Sequence, residues 1–221
     1  MYNYVLINNH YIVNIENKYY ILDTGSPFSY SFVNGLDKVF IDGVEHKLGV
    51  PDARFSVKKT YDLVGFPVDG LLGSDAFRKT GFTIYKQNKE GGLIDFKANN
   101  IKGNAYQILM LANNAAPLIQ TDDKKFYLVD TGARYGYGVK EMFNGLTSFG
   151  TVWDYNPTLG DLNSPIYNVE VAMNNKKCHT TACYNRNVTF MIPDFLMVGN
   201  ITDFFEKECC FDYPGMKVVF N

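Results

Sequence analysis

The sequence predicts a mainly β protein built from two similar halves, and three observations lead to this prediction. One pattern occurs twice, in residues 20–26 and 127–133, as an apolar run that ends in Asp-Thr-Gly. Each half also closes with two segments that alternate apolar and polar side chains, which is typical of a hairpin. Finally, the chain contains 16 Tyr and 17 Phe residues, and aromatic side chains suit the half-buried surface of a pleated sheet.

Each copy of the pattern begins in a turn and continues as a strand. Polar, turn-forming residues at 16–18 and 123–125 lead into four or five aromatic and aliphatic residues that end at Asp23 and Asp130. A turn followed by such a run predicts a hairpin that feeds a buried strand. Both aspartates are therefore expected at the end of a buried strand, where a tight Thr-Gly turn begins.

The order of elements after each Asp is also repeated. An apolar-apolar-Gly segment comes next, then a short helix, and then the closing hairpin. Few helices are expected, and all of them are short. The members of the two series are Leu71-Leu72-Gly73, 74–78 and 82–85 with 93–96 in the first half, and Met197-Val198-Gly199, 201–207 and 210–213 with 218–220 in the second.

The length of 221 residues suits one or two domains. The repeat divides the chain into a first lobe, residues 1–100, and a second lobe, residues 101–221. The boundary is expected in the polar, turn-rich stretch 97–104, which separates the last strand of one repeat from the first strand of the next.

With this order present in both halves, the chain resembles the aspartic peptidases, the clan that holds the pepsin-like and retropepsin-like enzymes. In that clan each lobe carries Asp-Thr/Ser-Gly followed by Ser, Thr or Ala, and later an apolar-apolar-Gly segment. The resemblance implies two retropepsin-like β-barrel lobes related by a pseudo-twofold axis, as in a covalently fused retropepsin dimer. It implies that Asp23 and Asp130 are the catalytic residues and that the chain, holding both, is a monomer.

The resemblance also assigns supporting roles to the residues that follow each Asp. Two threonines occupy the positions of a crossed hydroxyl-to-backbone clamp, and two glycines permit a tight turn that brings N–H groups near the carboxylates. The supporting residues are Thr24, Gly25, Ser26, Thr131, Gly132 and Ala133.

The two copies differ at their fourth position. The hydroxyl of Ser26 is able to donate a hydrogen bond to the outer oxygen of Asp23, whereas Ala133 has no donor to offer Asp130. A hydrogen bond to the charged form favours ionisation. Asp23 is therefore expected to be the more readily ionised of the two.

A flexible hairpin flap covers the substrate in this clan, and its position is expected to differ here. The stretch between the Asp and the apolar-apolar-Gly segment is longer in the second half, and residues 152–167 within it resemble a long hairpin with an aromatic, turn-rich tip. We expect this hairpin to be the principal flap, with Trp153 and Tyr155 as the residues that close over substrate. Only residues 39–48 offer a short equivalent in the first half, which carries the flap in pepsin-like enzymes.

The composition indicates an ordinary globular protein whose partner is a protein or peptide substrate. The formal net charge is −2, and no run of Lys or Arg forms a basic stripe, so binding to nucleic acid or an anionic membrane is not indicated. No stretch approaches the roughly 18 apolar residues of a membrane span. Residues 1–12 lack the pattern of a secretory signal, so a cytoplasmic protein is expected.

Four cysteines lie in the second half, Cys178 and Cys183 around His179 and the adjacent Cys209 and Cys210. A zinc site is conceivable, but the spacing lacks the usual paired Cys-x-x-Cys motif, so neither a metal nor another cofactor is expected. A disulfide between Cys178 and Cys183 remains open for an oxidising compartment, although the missing secretory signal favours reduced thiols.

Three functions remain open on the sequence. The first is an aspartic endopeptidase that cleaves extended polypeptides with apolar residues flanking the bond. The alternative is a catalytically silent peptide-binding or inhibitory protein with the same fold, against which the two intact Asp-Thr-Gly motifs count. The third is a scaffold whose lobes mediate assembly.

Overall fold

The computed structural model describes residues 1–113, 115–190 and 192–221, and over these residues the protein is mainly β, as predicted. The helical elements within these ranges are one α-helix, α1 (Val57–Val64), and three 3₁₀ turns, Ser74–Ala76, Lys140–Phe143 and Thr202–Phe204. The strands up to residue 100 are β1 (Tyr2–Ile7), β2 (His10–Ile15), β3 (Lys18–Leu22), β4 (Tyr30–Ser31), β5 (Lys38–Ile41), β6 (Val44–Lys47), β7 (Gly70–Leu72), β8 (Phe82–Lys86) and β9 (Gly91–Asp95). Those that follow are β10 (Asn104–Ala112), β11 (Ala116–Gln120), β12 (Phe126–Val129), β13 (Gly136–Gly138), β14 (Gly150–Asn156), β15 (Gly160–Met173), β16 (Lys176–Cys183), β17 (Phe195–Val198), β18 (Glu208–Asp212) and β19 (Lys217–Phe220).

The two Asp-Thr-Gly motifs have the same hydrogen-bond surroundings. β3 lies between its antiparallel partner β2 and its parallel partner β7, and β12 lies in the same way between β11 and β17. The backbone N–H of Asp23 donates to Leu72, and that of Asp130 donates to Val198, both at 2.9 Å. The apolar-apolar-Gly segments are therefore the parallel strands that hold each Asp at the end of its own strand.

Strands from both halves of the sequence share one antiparallel sheet. Its order is β1, β9, β8, β18, β19 and β10, so the central pairing, Ile84 with Cys209, joins the two halves. Phe82 stacks on Phe211 across this pairing, with ring centroids 4.4 Å apart and planes 13° apart. Both rings are fully buried, and a buried Phe contributes about 1.5–3 kcal/mol of hydrophobic stabilisation. The core is thus continuous across residue 100, where the lobe boundary is predicted.

The helix α1 was not predicted from the sequence. The hydroxyl of Ser56 accepts a hydrogen bond from the N–H of Lys59 at its start, and Gly65 ends it in the left-handed conformation with φ 74°. At eight residues it is too short to be stable alone, so burial of Leu63 and Val64 must hold it in place.

The cysteines are free thiols in the described structure. Cys178 and Cys183 lie five residues apart on the single extended strand β16, which separates them by about 16 Å. That separation excludes the disulfide that the sequence left open. Within the described residues, no helix has the length and apolar character needed to cross a membrane.

Candidate active site

Asp23 and Asp130 meet on the floor of one cavity of about 530 Å³. The loops that carry them approach so closely that a Cβ atom on Gly25 would overlap the carboxylate of Asp130, and one on Gly132 would overlap that of Asp23. Both glycines are therefore required by the contact between the loops. We call Asp23 and Asp130 the carboxyl pair.

Thr24 and Thr131 link the two loops beneath the carboxyl pair through crossed hydrogen bonds. The N–H of Thr24 donates to Oγ1 of Thr131 at 3.0 Å, and the N–H of Thr131 donates to Oγ1 of Thr24 at 2.9 Å. Each hydroxyl in turn donates to a carbonyl on the opposite strand, that of Val129 at 2.8 Å and that of Leu22 at 2.7 Å. Both threonines are fully buried, so these bonds fix the separation of the two aspartates.

The surroundings of the carboxyl pair favour a bound proton. Burial raises the pKa of Asp23 well above its usual value, and repulsion from the Asp130 carboxylate raises it further. Burial also raises the pKa of Asp130. Backbone hydrogen bonds oppose these pKa shifts. Asp23 accepts them from the N–H groups of Gly25 and Ser26, at 2.8 and 3.0 Å, and Asp130 accepts one from the N–H of Gly132 at 3.1 Å. The two carboxyls titrate as one unit that keeps a proton at a higher pH than an isolated Asp.

Ser26 does not make the expected bond to Asp23. Its hydroxyl donates to the carbonyl of Phe28 at 2.7 Å, so only its backbone N–H reaches the carboxylate. At the equivalent position, the N–H of Ala133 donates to the main-chain carbonyl of Asp130 at 3.0 Å. The hydrogen bond on which the earlier ionisation of Asp23 was predicted is therefore absent.

The hairpin expected at residues 152–167 is present as β14 and β15, paired from Gly150 with Ile166 to Asn156 with Gly160. We call residues 150–166 the long hairpin. Its tip, residues 155–159, lines the same cavity as the carboxyl pair.

Of the two flap candidates, the structure brings only Tyr155 to the cavity. Trp153 lies outside the lining, where its Nε1–H donates to Asp161 at 3.2 Å. The short hairpin β5–β6, the expected first-half equivalent, does not line the cavity either. Its turn is tied to the first strand instead, where Asp42 and the hydroxyl of Tyr2 exchange hydrogen bonds.

The tip of the long hairpin is fastened to the start of α1. The hydroxyl of Tyr155 accepts a hydrogen bond from the N–H of Ser56 and donates one to the carbonyl of Arg54, both at 2.7 Å. The ammonium of Lys59 forms an ion pair with Asp161 at 2.6 Å and lies 5.3 Å from the ring centroid of Tyr155. That ion pair is half exposed, so it contributes little stability. The side chain of Tyr155 is only 8% exposed, so its two hydroxyl hydrogen bonds contribute most to holding the tip in place.

Two apolar walls of the cavity come from the two halves of the sequence. Each contains a tyrosine that follows the Asp loop and an aliphatic residue of the apolar-apolar-Gly segment. The first wall contains Tyr30, Pro51, Phe55 and Leu71, and the second contains Tyr137, Leu162, Val188, Phe190 and Met197.

The polar cavity residues that were missed on the sequence include Arg134, Tyr137 and Asp154. Asp154 is 7% exposed, and its carboxylate accepts hydrogen bonds from the hydroxyl of Tyr137 at 2.7 Å and from the N–H of Tyr155 at 2.8 Å. Burial raises the pKa of Asp154. Arg134 follows the second Asp loop and Asp154 precedes Tyr155, but neither belongs to a pattern that distinguishes it from other charged residues.

Within the described residues, no group of three His, Cys, Asp or Glu side chains is arranged to hold a metal ion. The sequence matches no protein-family model and no curated protein.

Proposed function

We propose that this protein is an aspartic endopeptidase that hydrolyses peptide bonds in extended polypeptides. The observation that carries the proposal is the meeting of the Asp23 and Asp130 carboxyls above the crossed Thr24 and Thr131 hydrogen bonds. We further propose that residues 1–100 and 101–221 are two acid-protease lobes related by a pseudo-twofold axis. The matching surroundings of β3 and β12 support that arrangement.

The carboxyl pair supplies both a base and an acid when it holds one proton. The ionised carboxyl takes a proton from a water molecule while the oxygen of that water attacks the carbonyl carbon of the peptide bond. The protonated carboxyl hydrogen-bonds the carbonyl oxygen, which becomes a hydroxyl of the tetrahedral intermediate as it receives that proton. The proton taken from water then passes to the leaving nitrogen, and the C–N bond breaks while one hydroxyl of the intermediate returns its proton to the carboxyl that donated it. The pair again holds one proton. Two close carboxyls that share a proton are the known arrangement for this chemistry.

The lining of the cavity suits a substrate with apolar side chains on both sides of the cleaved bond. Tyr30 and Tyr137 lie equally far along the chain from Asp23 and Asp130, and Leu71 and Met197 each begin an apolar-apolar-Gly segment. Each half of the sequence therefore offers matching apolar surface to the cavity. Apolar burial of substrate side chains provides binding energy, and the carboxyl pair in the same cavity provides the chemistry.

Digestion of a peptide library at several pH values, with and without a statine-type transition-state analogue, tests the proposal. We expect cleavage next to apolar residues, inhibited by the analogue, with a bell-shaped pH dependence. The rate should fall above the raised pKa of the pair, where both carboxyls are ionised, and at low pH, where both are protonated. Peptides that bind but remain intact at every pH would instead identify the silent peptide-binding alternative.

The active species is expected to be a monomer, because one chain contributes both aspartates to one cavity. Specific activity should therefore remain constant when the protein is diluted. Activity assays over a dilution series, with light scattering on the same samples, check this. Loss of activity in step with dissociation of a dimer would contradict a complete site in each chain.

The long hairpin is expected to act as a lid that opens at Tyr155. Replacing Tyr155 with Phe removes the hydroxyl that bonds Ser56 and Arg54, so amide hydrogen exchange in residues 150–160 should become faster without ligand. KM should rise about fivefold to a hundredfold, as expected for two lost hydrogen bonds of about 0.5–1.5 kcal/mol each. A statine-type analogue should restore protection.

Trp153→Phe is the matched control, because Trp153 lies on the same strand but outside the cavity. It should change neither exchange nor KM in the way that Tyr155→Phe does. If the analogue protects residues 38–47 instead of the long hairpin, the lid belongs to the first half and this assignment is wrong.

A further inference from the structure

Arg134 carries a positive charge into the cavity beside the carboxyl pair. It follows Ala133 directly, and its main-chain carbonyl accepts a hydrogen bond from the side chain of Asn9 at 3.0 Å, which anchors the backbone. Its guanidinium reaches α1, where one nitrogen donates to the carbonyl of Leu63 at the long distance of 3.4 Å. The same group lies 5.1 Å from the ring centroid of Tyr135.

The guanidinium of Arg134 forms no salt bridge with any carboxylate in the described ranges. An arginine carries five N–H donors in a planar fork that matches a carboxylate. The guanidinium makes one long bond to the carbonyl of Leu63 and also interacts with the hydroxyl of Tyr135. These two partners use only part of its donor capacity. A charged, water-accessible donor group in a substrate cavity is suited to bind an anionic part of the ligand.

The other charged side chains of the cavity are already matched. Asp52 and Arg54 form an ion pair at 2.9 Å. Both carboxylate oxygens of Asp154 accept hydrogen bonds from the protein. Burial raises the pKa of Asp154 and the charge of Arg134 lowers it, so Asp154 offsets part of the Arg134 charge without pairing with it. The carboxyl pair carries one negative charge when it shares a proton. Arg134 is therefore the charged cavity residue best placed to recognise a charged substrate group.

We propose that Arg134 is a specificity-determining residue that binds a carboxylate of the peptide substrate. The inference rests on the proposed peptidase function. The carboxylate comes either from an acidic side chain near the cleaved bond or from the C-terminus of the peptide. A bidentate pair with the guanidinium adds both orientation and affinity, because such charge-assisted hydrogen bonds are stronger than neutral ones.

Binding of labelled peptides, followed by fluorescence anisotropy, tests the proposal without turnover when the Asp130→Asn variant is used. The probes share an apolar Leu-Phe centre and form two matched sets. One set compares Glu with Gln at each flanking position in C-terminally amidated peptides, and the other compares a free C-terminal carboxylate with its amide. At least one carboxylate peptide should bind about tenfold to a hundredfold tighter than its neutral partner, the range for hydrogen bonds to charged groups.

Adding Arg134→Met should remove this preference, and Arg134→Lys should restore only part of it, because Lys keeps the charge but loses the fork. Arg186→Met, in an exposed loop outside the cavity, should leave the preference intact. Circular dichroism and thermal melting establish that each variant is folded.

Three results would overturn the inference. They are equal binding of carboxylate and neutral peptides in both sets, a preference that survives Arg134→Met, and the absence of any peptide binding. The set that shows the preference identifies the source of the carboxylate. Failure of the peptidase proposal is read separately, from the library digestion by the unmodified protein. A selective binder that cleaves nothing would keep the role of Arg134 in ligand binding and reject the enzymatic function.

Discussion

Asp23→Asn and Asp130→Asn are each expected to lower kcat for peptide hydrolysis by several orders of magnitude while the fold remains intact. Either change leaves only one member of the carboxyl pair. The remaining carboxyl has no partner with which to share a proton, so it cannot supply a base and an acid together. Asn is nearly the same size as Asp, so the contacts with Gly25 and Gly132 are preserved. Steady-state assays on a cleaved library peptide measure the effect.

Asp203→Asn is the matched control, because Asp203 is exposed and lies outside the cavity. It should retain the activity of the unmodified protein. Turnover at the unmodified rate in either Asp23→Asn or Asp130→Asn would exclude the carboxyl pair as the catalytic group.

The same two variants are each expected to weaken a pH dependence of stability. The pKa values of both carboxyls are raised in the folded state, so the folded protein retains a proton that the unfolded chain releases. The associated stability is complete below the ordinary Asp pKa and is lost as pH rises through the raised value. Asn does not titrate, so each variant should melt at the same or a higher temperature than the unmodified protein at pH 8.

Thr24→Val and Thr131→Val are expected to have the largest effect on stability. Val keeps the shape of Thr but removes a hydroxyl that both accepts and donates a buried hydrogen bond. In Thr24→Val, the N–H of Thr131 and the carbonyl of Val129 lose their partners. Two buried polar groups left unpaired cost about 2–5 kcal/mol of the free energy of unfolding. Urea denaturation measures the change.

Thr24→Ser and Thr131→Ser are the controls, because they keep the hydroxyl and remove one methyl group, at a cost of about 1 kcal/mol. Catalytic activity should follow the same order, since the crossed bonds set the separation of the aspartates. If the Val variants are as stable as the Ser variants, the crossed bonds do not hold the two loops together.

The repeated motif was sufficient to predict the floor of the site. A strand that runs into Asp-Thr-Gly has few ways to turn, and Gly25 and Gly132 lack the Cβ that would separate the loops. The residues that meet there are 107 positions apart, but the repetition of the motif predicted that its two copies meet. The mainly β class was predicted because alternation and aromatic content are local signals.

The long hairpin was predicted, but its attachment to α1 could not be, because that attachment depends on contacts between distant segments. α1 is stabilised by burial and by its caps, and the hydroxyl of Tyr155 meets Ser56 from a position 99 residues further along the chain. The rotamer of Ser26, which directs its hydroxyl to Phe28 and not to Asp23, depends on the path of the following loop. Charge alone did not distinguish Arg134 from residues of the solvated surface.

Active-site titration with a tight-binding statine-type inhibitor tests most directly whether the two aspartates of one chain form one hydrolytic site. At a protein concentration well above the dissociation constant of the inhibitor, we expect cleavage of a library peptide to fall linearly and reach zero at one inhibitor per chain. Asp23→Asn and Asp130→Asn should bind the inhibitor much more weakly, because the shared proton contacts its hydroxyl. An end point at one inhibitor per two chains, or unchanged inhibitor binding by both variants, would contradict the account.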